Sequence, residues 1–252
     1  IRPPREDKRG YTRAPLGARM TVNPVTATRI SLVAALLLLA IVVYNLFQPA
    51  MTICGDLDPG YQPIIAFELA RSVPDLHAIF GDAPGACREA LTARFAFINT
   101  ADDFLFIPLY GIFLFFFFLA IRNRDEKLAR IGAIVVLAAC LADYVENTCL
   151  FGIAGNPDVH GTALSLLPWA TGVKWMGLAI AGAVGGYILS RAGGLSRLIA
   201  LLCFAGLLVV TAAMADPHRF GHLASNGVTI SWVIFLIADA IFVLRPQAAR
   251  IA

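Results

Sequence analysis

Charged residues are scarce in this sequence. They make up 15 % of its 252 residues, against about 25 % in an average soluble domain. Hydrophobic residues make up 58 %, and the mean hydropathy is +0.73. This balance excludes an ordinary soluble domain and indicates a chain that lies mostly inside a membrane.

The sequence also lacks the short motifs of common catalytic sites. It has no Gly-x-Ser-x-Gly nucleophile turn, no phosphate-binding glycine loop, no His-Glu-x-x-His zinc motif and no Cys-x-x-Cys-His haem motif. The sequence has four histidines, His77, His160, His218 and His222. Around the last two, Pro217 and Gly221 indicate a turn rather than a metal-binding helix. We therefore predict no metal site and no cofactor.

Apolar runs long enough to cross a bilayer as helices, about 18–20 residues each, occur six times. We predict an all-α, polytopic membrane protein whose single domain, residues 21–252, is a six-helix transmembrane bundle. The predicted spans are about 30–48, 95–121, 131–151, 164–189, 198–215 and 228–245. Residues 1–20 have no apolar period and are predicted to form a disordered basic tail. With one aromatic residue, this tail does not suggest a nucleic-acid partner.

Basic residues concentrate at alternate ends of the predicted spans. Residues 1–29 carry seven Lys or Arg and residues 122–130 carry four, whereas the loops on the other side carry more acids than bases. By the positive-inside rule, both termini are expected in the cytoplasm of a bacterium, with the chain in its inner membrane.

Residues 49–94 form the only sizeable loop and are expected to make a helical cap on the outer membrane surface. Apolar residues recur there at helical intervals, and Ser72 with Pro74 predicts a second helix start, so we expect two short helices broken near residue 72. Cys54 and Cys87 also lie in this loop. An oxidising compartment would permit a disulfide between them, and two free thiols fit the spacing equally well.

Acidic residues inside the third predicted span need partners. Asp143, Glu146 and Asn147 share one helix face at spacings i, i+3 and i+4, and each charge at membrane depth costs roughly 2.5–3.5 kcal/mol on insertion scales. Lys174 is the only cation predicted inside a span rather than at its end. At about 1.5 Å per residue, these side chains and Asp103 fall in one layer of the outer half of the bilayer.

The second and sixth predicted spans carry further polar residues. Asp102, Asp103 and Tyr110 share a face of the second span, and Pro108 removes the hydrogen bond to the carbonyl of Phe104. The aromatic run that follows, Phe113 and Phe115 to Phe118, is expected to face lipid. Asp239, near the inner end of the sixth span, is expected to snorkel or to pair with an arginine of the inner loops.

Several of these residues occur in short motifs that resemble a set of uncharacterised bacterial multi-pass membrane proteins. The motifs are Asp103-x4-Pro108-x-Tyr110, Asp143-x2-Glu146-Asn147, Lys174-Trp175 and Phe67-Glu68-Leu69-Ala70. The resemblance covers about residues 30–245. It implies that these residues belong together, and it implies no activity.

Two interpretations of the acidic layer remain open: a structural ion-pair network, or an outward-facing intramembrane pocket that either binds a lipid or amphiphile or binds and modifies it. In the second, Asp143, Glu146 and Lys174 are the candidate catalytic residues, and the binding residues are Glu68, Asp102, Asp103, Tyr110, Asn147 and Trp175. Membrane lipids are the expected partners. The alternatives are an accessory or assembly subunit of a membrane complex and a small transporter, which is disfavoured because no polar path leads inward.

Overall fold

The computed structural model describes residues 22–158, 161–191 and 196–245, and in these ranges all regular structure is helical. Six helices are long and apolar enough to span a membrane. The first is α1 (Pro24–Leu46). The second is continuous and consists of α4 (Ala86–Ala101), a π-helical turn (Asp102–Phe106) and α5 (Ile107–Ile121). The others are α6 (Glu126–Gly155), α7 (Thr162–Ser190), α8 (Ser196–Ala215) and α10 (Ala224–Leu244), the last preceded by the short helix α9 (Pro217–Phe220). The predicted fold class, an all-α polytopic membrane protein, is confirmed.

The helices extend beyond most of the predicted spans because polar caps, not the edges of apolar runs, set their ends. Asn23 accepts a hydrogen bond from the Val25 amide and starts α1, and Asp125 caps α6 through the Leu128 amide. Glu126 in the first turn of α6 favours the helix dipole. The predicted tail at residues 1–20 lies outside the described residues.

Both ends of the described chain lie at the same end of the bundle. Arg122, just after α5, donates a hydrogen bond to the carbonyl of Val22 before α1. Two residues later, the Arg124 guanidinium lies 5.0 Å from the ring centroid of Phe242 near the end of α10. The opposite end of the bundle is covered by the helical loop, and we call it the cap face.

Small residues of α7 let its neighbours approach closely. A Cβ placed on Gly182 would lie 2.7 Å from Ser231 Oγ of α10, and one on Gly186 would lie 2.6 Å from Cys203 Cβ of α8. A larger side chain at either position would force these helices apart.

The aromatic run of α5 corrects one prediction. Phe113, Phe117 and Phe118 are buried, so the expectation that they face lipid is wrong. The reason is that α5 lies between α1 and α6, and glycines on its neighbours leave room for the rings. Gly132 of α6 makes room for Phe118, and Phe117 stacks on Phe235 of α10 with ring centroids 4.1 Å apart.

The cap contains the two short helices that the sequence predicts, α2 (Pro63–Glu68) and α3 (Val73–Phe80). Ser72 begins α3 with a capping box closed by Asp75. Phe67 and Phe80 pack on Phe95 of α4, with ring centroids 4.7 and 5.5 Å away. This aromatic cluster holds the cap against the bundle.

Two further links join the cap to the start of α4. Cys54 and Cys87 form a disulfide. Arg88 donates to the carbonyls of Phe80 and Gly81 and, at 2.6 Å, to the carboxylate of Asp158 after α6. The hydrogen bond from Arg88 lowers the pKa of Asp158 below its usual value of 3.8. The cap is therefore anchored to two of the spanning helices.

Candidate functional site

Lys174 is the centre of a buried ionic cluster in the half of the bundle near the cap. Its Nζ lies 2.9 Å from Asp143 Oδ1 and donates a hydrogen bond to Glu146 Oε2. Asp143 is 1 % exposed, Glu146 is 0 % exposed and Lys174 is 7 % exposed. The acids of α6 and the lysine of α7 are thus brought together, as their predicted common depth required.

Glu68 adds a third carboxylate from the cap. Its Oε1 lies 3.3 Å from Lys174 Nζ, and its Oε2 accepts a hydrogen bond of 3.0 Å from Trp175 Nε1. Its backbone carbonyl accepts another, also 3.0 Å, from Thr171 Oγ1. Burial raises the pKa of Glu68, and the Lys174 charge only partly opposes this rise. The last turn of α2 is therefore bound into the bundle by its charge and by its main chain.

A second polar tier lies beside this cluster. The Asn147 amide nitrogen donates to Asp102 Oδ2 and to Asp103 Oδ1, both at 2.8 Å. The Tyr110 hydroxyl donates to Asp143 Oδ2 at 2.8 Å. Every residue that the sequence assigned to the catalytic or binding set is therefore in the cluster or in this tier. We call the two together the Lys174 centre.

The backbone of the second span is wound to hold Asp102 and Asp103 side by side. Pro108 has no N–H to give to the carbonyl of Phe104, and the helix widens just before it into the π-helical turn, in which the Ile107 amide donates to the Asp102 carbonyl. A π-turn adds one residue to a helical turn and often marks a functional site. In this turn Phe104 is 82 % exposed on the bundle surface.

Residues that sequence reasoning missed are Thr171 and Ser31. Thr171 lies on α7 one turn before Lys174, a spacing that could have drawn attention to it. Ser31 on α1 contacts Asp239 on α10, 208 residues away in sequence, and no local pattern could have linked them. The prediction that Asp239 snorkels or pairs with an arginine is wrong, because Asp239 is 0 % exposed and Ser31 Oγ is its hydrogen-bond partner.

His77, His218 and His222 lie outside the Lys174 centre. His77 contacts Asp82 and Asp158 at 3.1 and 3.2 Å on the cap surface, and His218 lies 3.7 Å from Asp75. His160 is outside the described residues. Across residues 22–158, 161–191 and 196–245, no group of three or more histidine, cysteine or acidic side chains has the arrangement of a metal site.

Charge is out of balance at the Lys174 centre. Its one lysine faces three carboxylates directly, and Asp102 and Asp103 add two more nearby. Glu146 Oε1 is buried without a hydrogen-bond partner. The surplus of acid calls for protons or for a cation from outside the chain.

Access to this acidic centre differs between its two tiers. The cluster around Lys174 is closed, whereas the side chains of Asp102 and Asp103 are only half-buried. The Asp102–Asp103 pair is therefore the more exposed part of the centre. No protein-family model, no curated protein and no solved structure matches this chain.

Proposed function

We propose that this multi-pass membrane protein binds the cationic head group of a lipid or similar amphiphile at the Asp102–Asp103 pair. The observation that carries the proposal is that two half-buried carboxylates converge on one amide nitrogen, that of Asn147. In the part of the chain that the structure describes, no Lys, Arg or His forms a salt bridge with either aspartate.

A head-group ammonium suits this pair for an energetic reason. Two carboxylates at membrane depth are costly unless a cation lies beside them. Charge-assisted hydrogen bonds from an ammonium group to carboxylates are among the stronger ones in proteins. Phe104, which follows Asp103 in the chain and is exposed, supplies an apolar surface for an acyl chain.

Asn99 extends the site by one turn. It lies at i−3 and i−4 from the pair, is buried, and has no hydrogen-bond partner for its amide nitrogen. A zwitterionic head group presents an ammonium for the carboxylates and phosphate oxygens for such a donor. The proposed ligand is therefore an amphiphile with an amine and a phosphate, in preference to a purely anionic one.

The ion pairs around Lys174 have a supporting role in this proposal. Asn147 holds both aspartates and follows Glu146 directly on α6, so the buried ion pairs fix the helix that positions the pair. A catalytic role for Asp143, Glu146 and Lys174 stays a prediction, as do the subunit and transporter alternatives.

Localisation is part of the proposal. The distribution of basic residues favours a bacterial inner membrane with both termini in the cytoplasm, which puts the cap outside. The disulfide between Cys54 and Cys87 is consistent with a cap in an oxidising compartment.

The test compares lipid retention by the wild type and by the double variant Asp102→Asn, Asp103→Asn. Each protein is equilibrated in mixed micelles with phosphatidylethanolamine and phosphatidylglycerol, and the bound lipids are counted by native mass spectrometry. We expect the wild type to retain the zwitterionic lipid preferentially. In the double variant this preference should fall roughly tenfold or more, because losing one charge-assisted hydrogen bond changes an affinity by about that factor.

The matched control is Glu89→Gln, which removes an exposed acid from the cap end of the same helix. It should retain lipid as the wild type does. Equal retention of both lipids by the wild type, or an unchanged preference in the double variant, would refute the proposed site.

A further inference from the structure

The Asp239 carboxyl lies in the half of the bundle away from the cap and takes no part in the proposed lipid site. It is buried at the contact of three helices, α1, α5 and α10. Ser31 Oγ of α1 contacts Asp239 Oδ2 and also the backbone carbonyl oxygen of Phe113 on α5, at 2.8 Å. The other carboxyl oxygen, Oδ1, is buried without a hydrogen-bond partner.

The number of hydrogens in this contact is limited. A serine hydroxyl has one hydrogen to donate, and a carbonyl oxygen has none. If Ser31 donates to the Phe113 carbonyl, the hydrogen between Ser31 Oγ and Asp239 Oδ2 must come from Asp239. Both contacts are then satisfied only when Asp239 is a carboxylic acid.

The surroundings agree with a neutral group. None of the salt bridges between described side chains involves Asp239. An ionised carboxylate there would have one hydrogen bond for its two oxygens, in a place where water does not reach it. Charged groups described near this end of α10 include Arg245, the residue that caps the helix, and Arg124, which lies over the ring of Phe242, one turn beyond Asp239.

We propose that Asp239 and Ser31 form a proton-binding site in which Asp239 is a neutral carboxylic acid that donates to Ser31, and Ser31 donates to the Phe113 carbonyl. The bound proton is the ligand that joins α1 to α5 and α10. Releasing it leaves a carboxylate with no cation, so loss of the proton must loosen the contact or admit water. The spanning helices then carry a titratable site in each half of the bundle.

The test is infrared difference spectroscopy of the protein in detergent at neutral pH. Subtracting the Asp239→Asn spectrum from that of the wild type should leave the C=O band of a protonated carboxyl. In Ser31→Ala, which removes the hydrogen-bond acceptor, the same band should shift to higher frequency. Glu126→Gln, an exposed acid at the same end of the bundle, should leave that band unchanged.

Two outcomes would overturn the proposal. If the difference spectrum shows a carboxylate band instead, Asp239 is ionised and Ser31 donates to it. If the acid band is replaced by a carboxylate band when sodium is added at constant pH, the three oxygens bind a metal cation. Should Asp239→Asn fail to fold, the Ser31→Ala shift decides the question by itself, because an ionised Asp239 would give no acid band to shift.

Discussion

The Lys174 centre and the Ser31–Asp239 site bury acids in the same bundle by different means. At the first, a lysine from α7 faces carboxylates from α6 and from the cap. At the second, one carboxyl contacts a serine, with no lysine or arginine bonded to it within the described residues. A lysine brings acids of several elements together, whereas a proton needs only one hydrogen-bond acceptor. Neutralising buried acids with a lysine therefore holds several helices together. Neutralising a buried acid with a proton leaves a group whose charge changes when the proton is released.

The largest effect that would sharpen this contrast is expected from Lys174→Met. It leaves buried carboxylates without their cation and should cost on the order of 3–5 kcal/mol, as breaking a buried ion pair does. Thermal unfolding in detergent measures the loss. The control is Lys127→Met, which removes an exposed lysine near the start of α6.

The same centre also offers a rescue experiment. Adding Asp143→Asn, Glu146→Gln and Glu68→Gln to Lys174→Met makes the whole cluster neutral, and neutral replacements of complete buried networks are often tolerated. The combined variant should recover most of the lost stability. If the combined variant is as unstable as Lys174→Met, unpaired charge is not the reason why Lys174→Met is unstable.

An intermediate effect is expected from Glu68→Gln. Glutamine keeps an acceptor for Trp175 but loses the ion pair with Lys174, so we expect a loss of about 1–2 kcal/mol, most of it in the attachment of the cap. Hydrogen exchange of the α2 and α3 amides, compared between this variant and Glu89→Gln, measures it. Unchanged exchange would show that the aromatic cluster and the disulfide hold the cap without Glu68.

The pH dependence at Glu68 has a definite sign. Because burial raises its pKa in the folded state above the ordinary value of 4.5, the folded state holds this proton more tightly. The contribution to stability is complete below 4.5 and is lost as the pH rises through the folded value. The free energy of unfolding of the wild type should therefore fall as the pH rises from about 4.5, and the deficit of Glu68→Gln relative to the wild type should shrink over the same range, as thermal unfolding in detergent at several pH values would show.

The smallest effect is expected from Asp239→Asn. An amide N–H can replace the carboxyl O–H as the donor to Ser31, so the free energy of unfolding should change by less than about 1 kcal/mol. Chemical or thermal unfolding in detergent checks this. A loss as large as that of Lys174→Met would break the comparison, because it would mean that Asp239 carries a charge that the fold depends on.

The sequence was sufficient for the fold class and for most of the candidate site, for a physical reason. Charges inside apolar runs are costly, so Asp143, Glu146 and Lys174 had to be partners, and helical rise put them at one depth. Glu68 was included through its motif, but its bond to Lys174 depends on how the cap folds over the bundle. No periodicity encodes that placement.

The aromatic run and Asp239 were misassigned because side-chain burial in a membrane bundle is not visible in hydropathy. Lipid and protein interior are equally apolar, so Phe117 can face either one. Its place inside is set by the small residues of other helices, such as Gly185. The hydrogen-bond partner of Asp239 is Ser31 on the first spanning helix. The sequence of the sixth spanning helix does not show that the first one packs against it.

The ion pair between α6 and α7 has a consequence for how the chain enters the membrane. Glu146 precedes Lys174 by 28 residues, so both acids of α6 leave the ribosome before their cation does. A helix with two unpaired acids is a poor candidate for release into lipid alone. We therefore expect α6 to wait at the insertion machinery until α7 follows, so that the two helices enter the bilayer together as a hairpin.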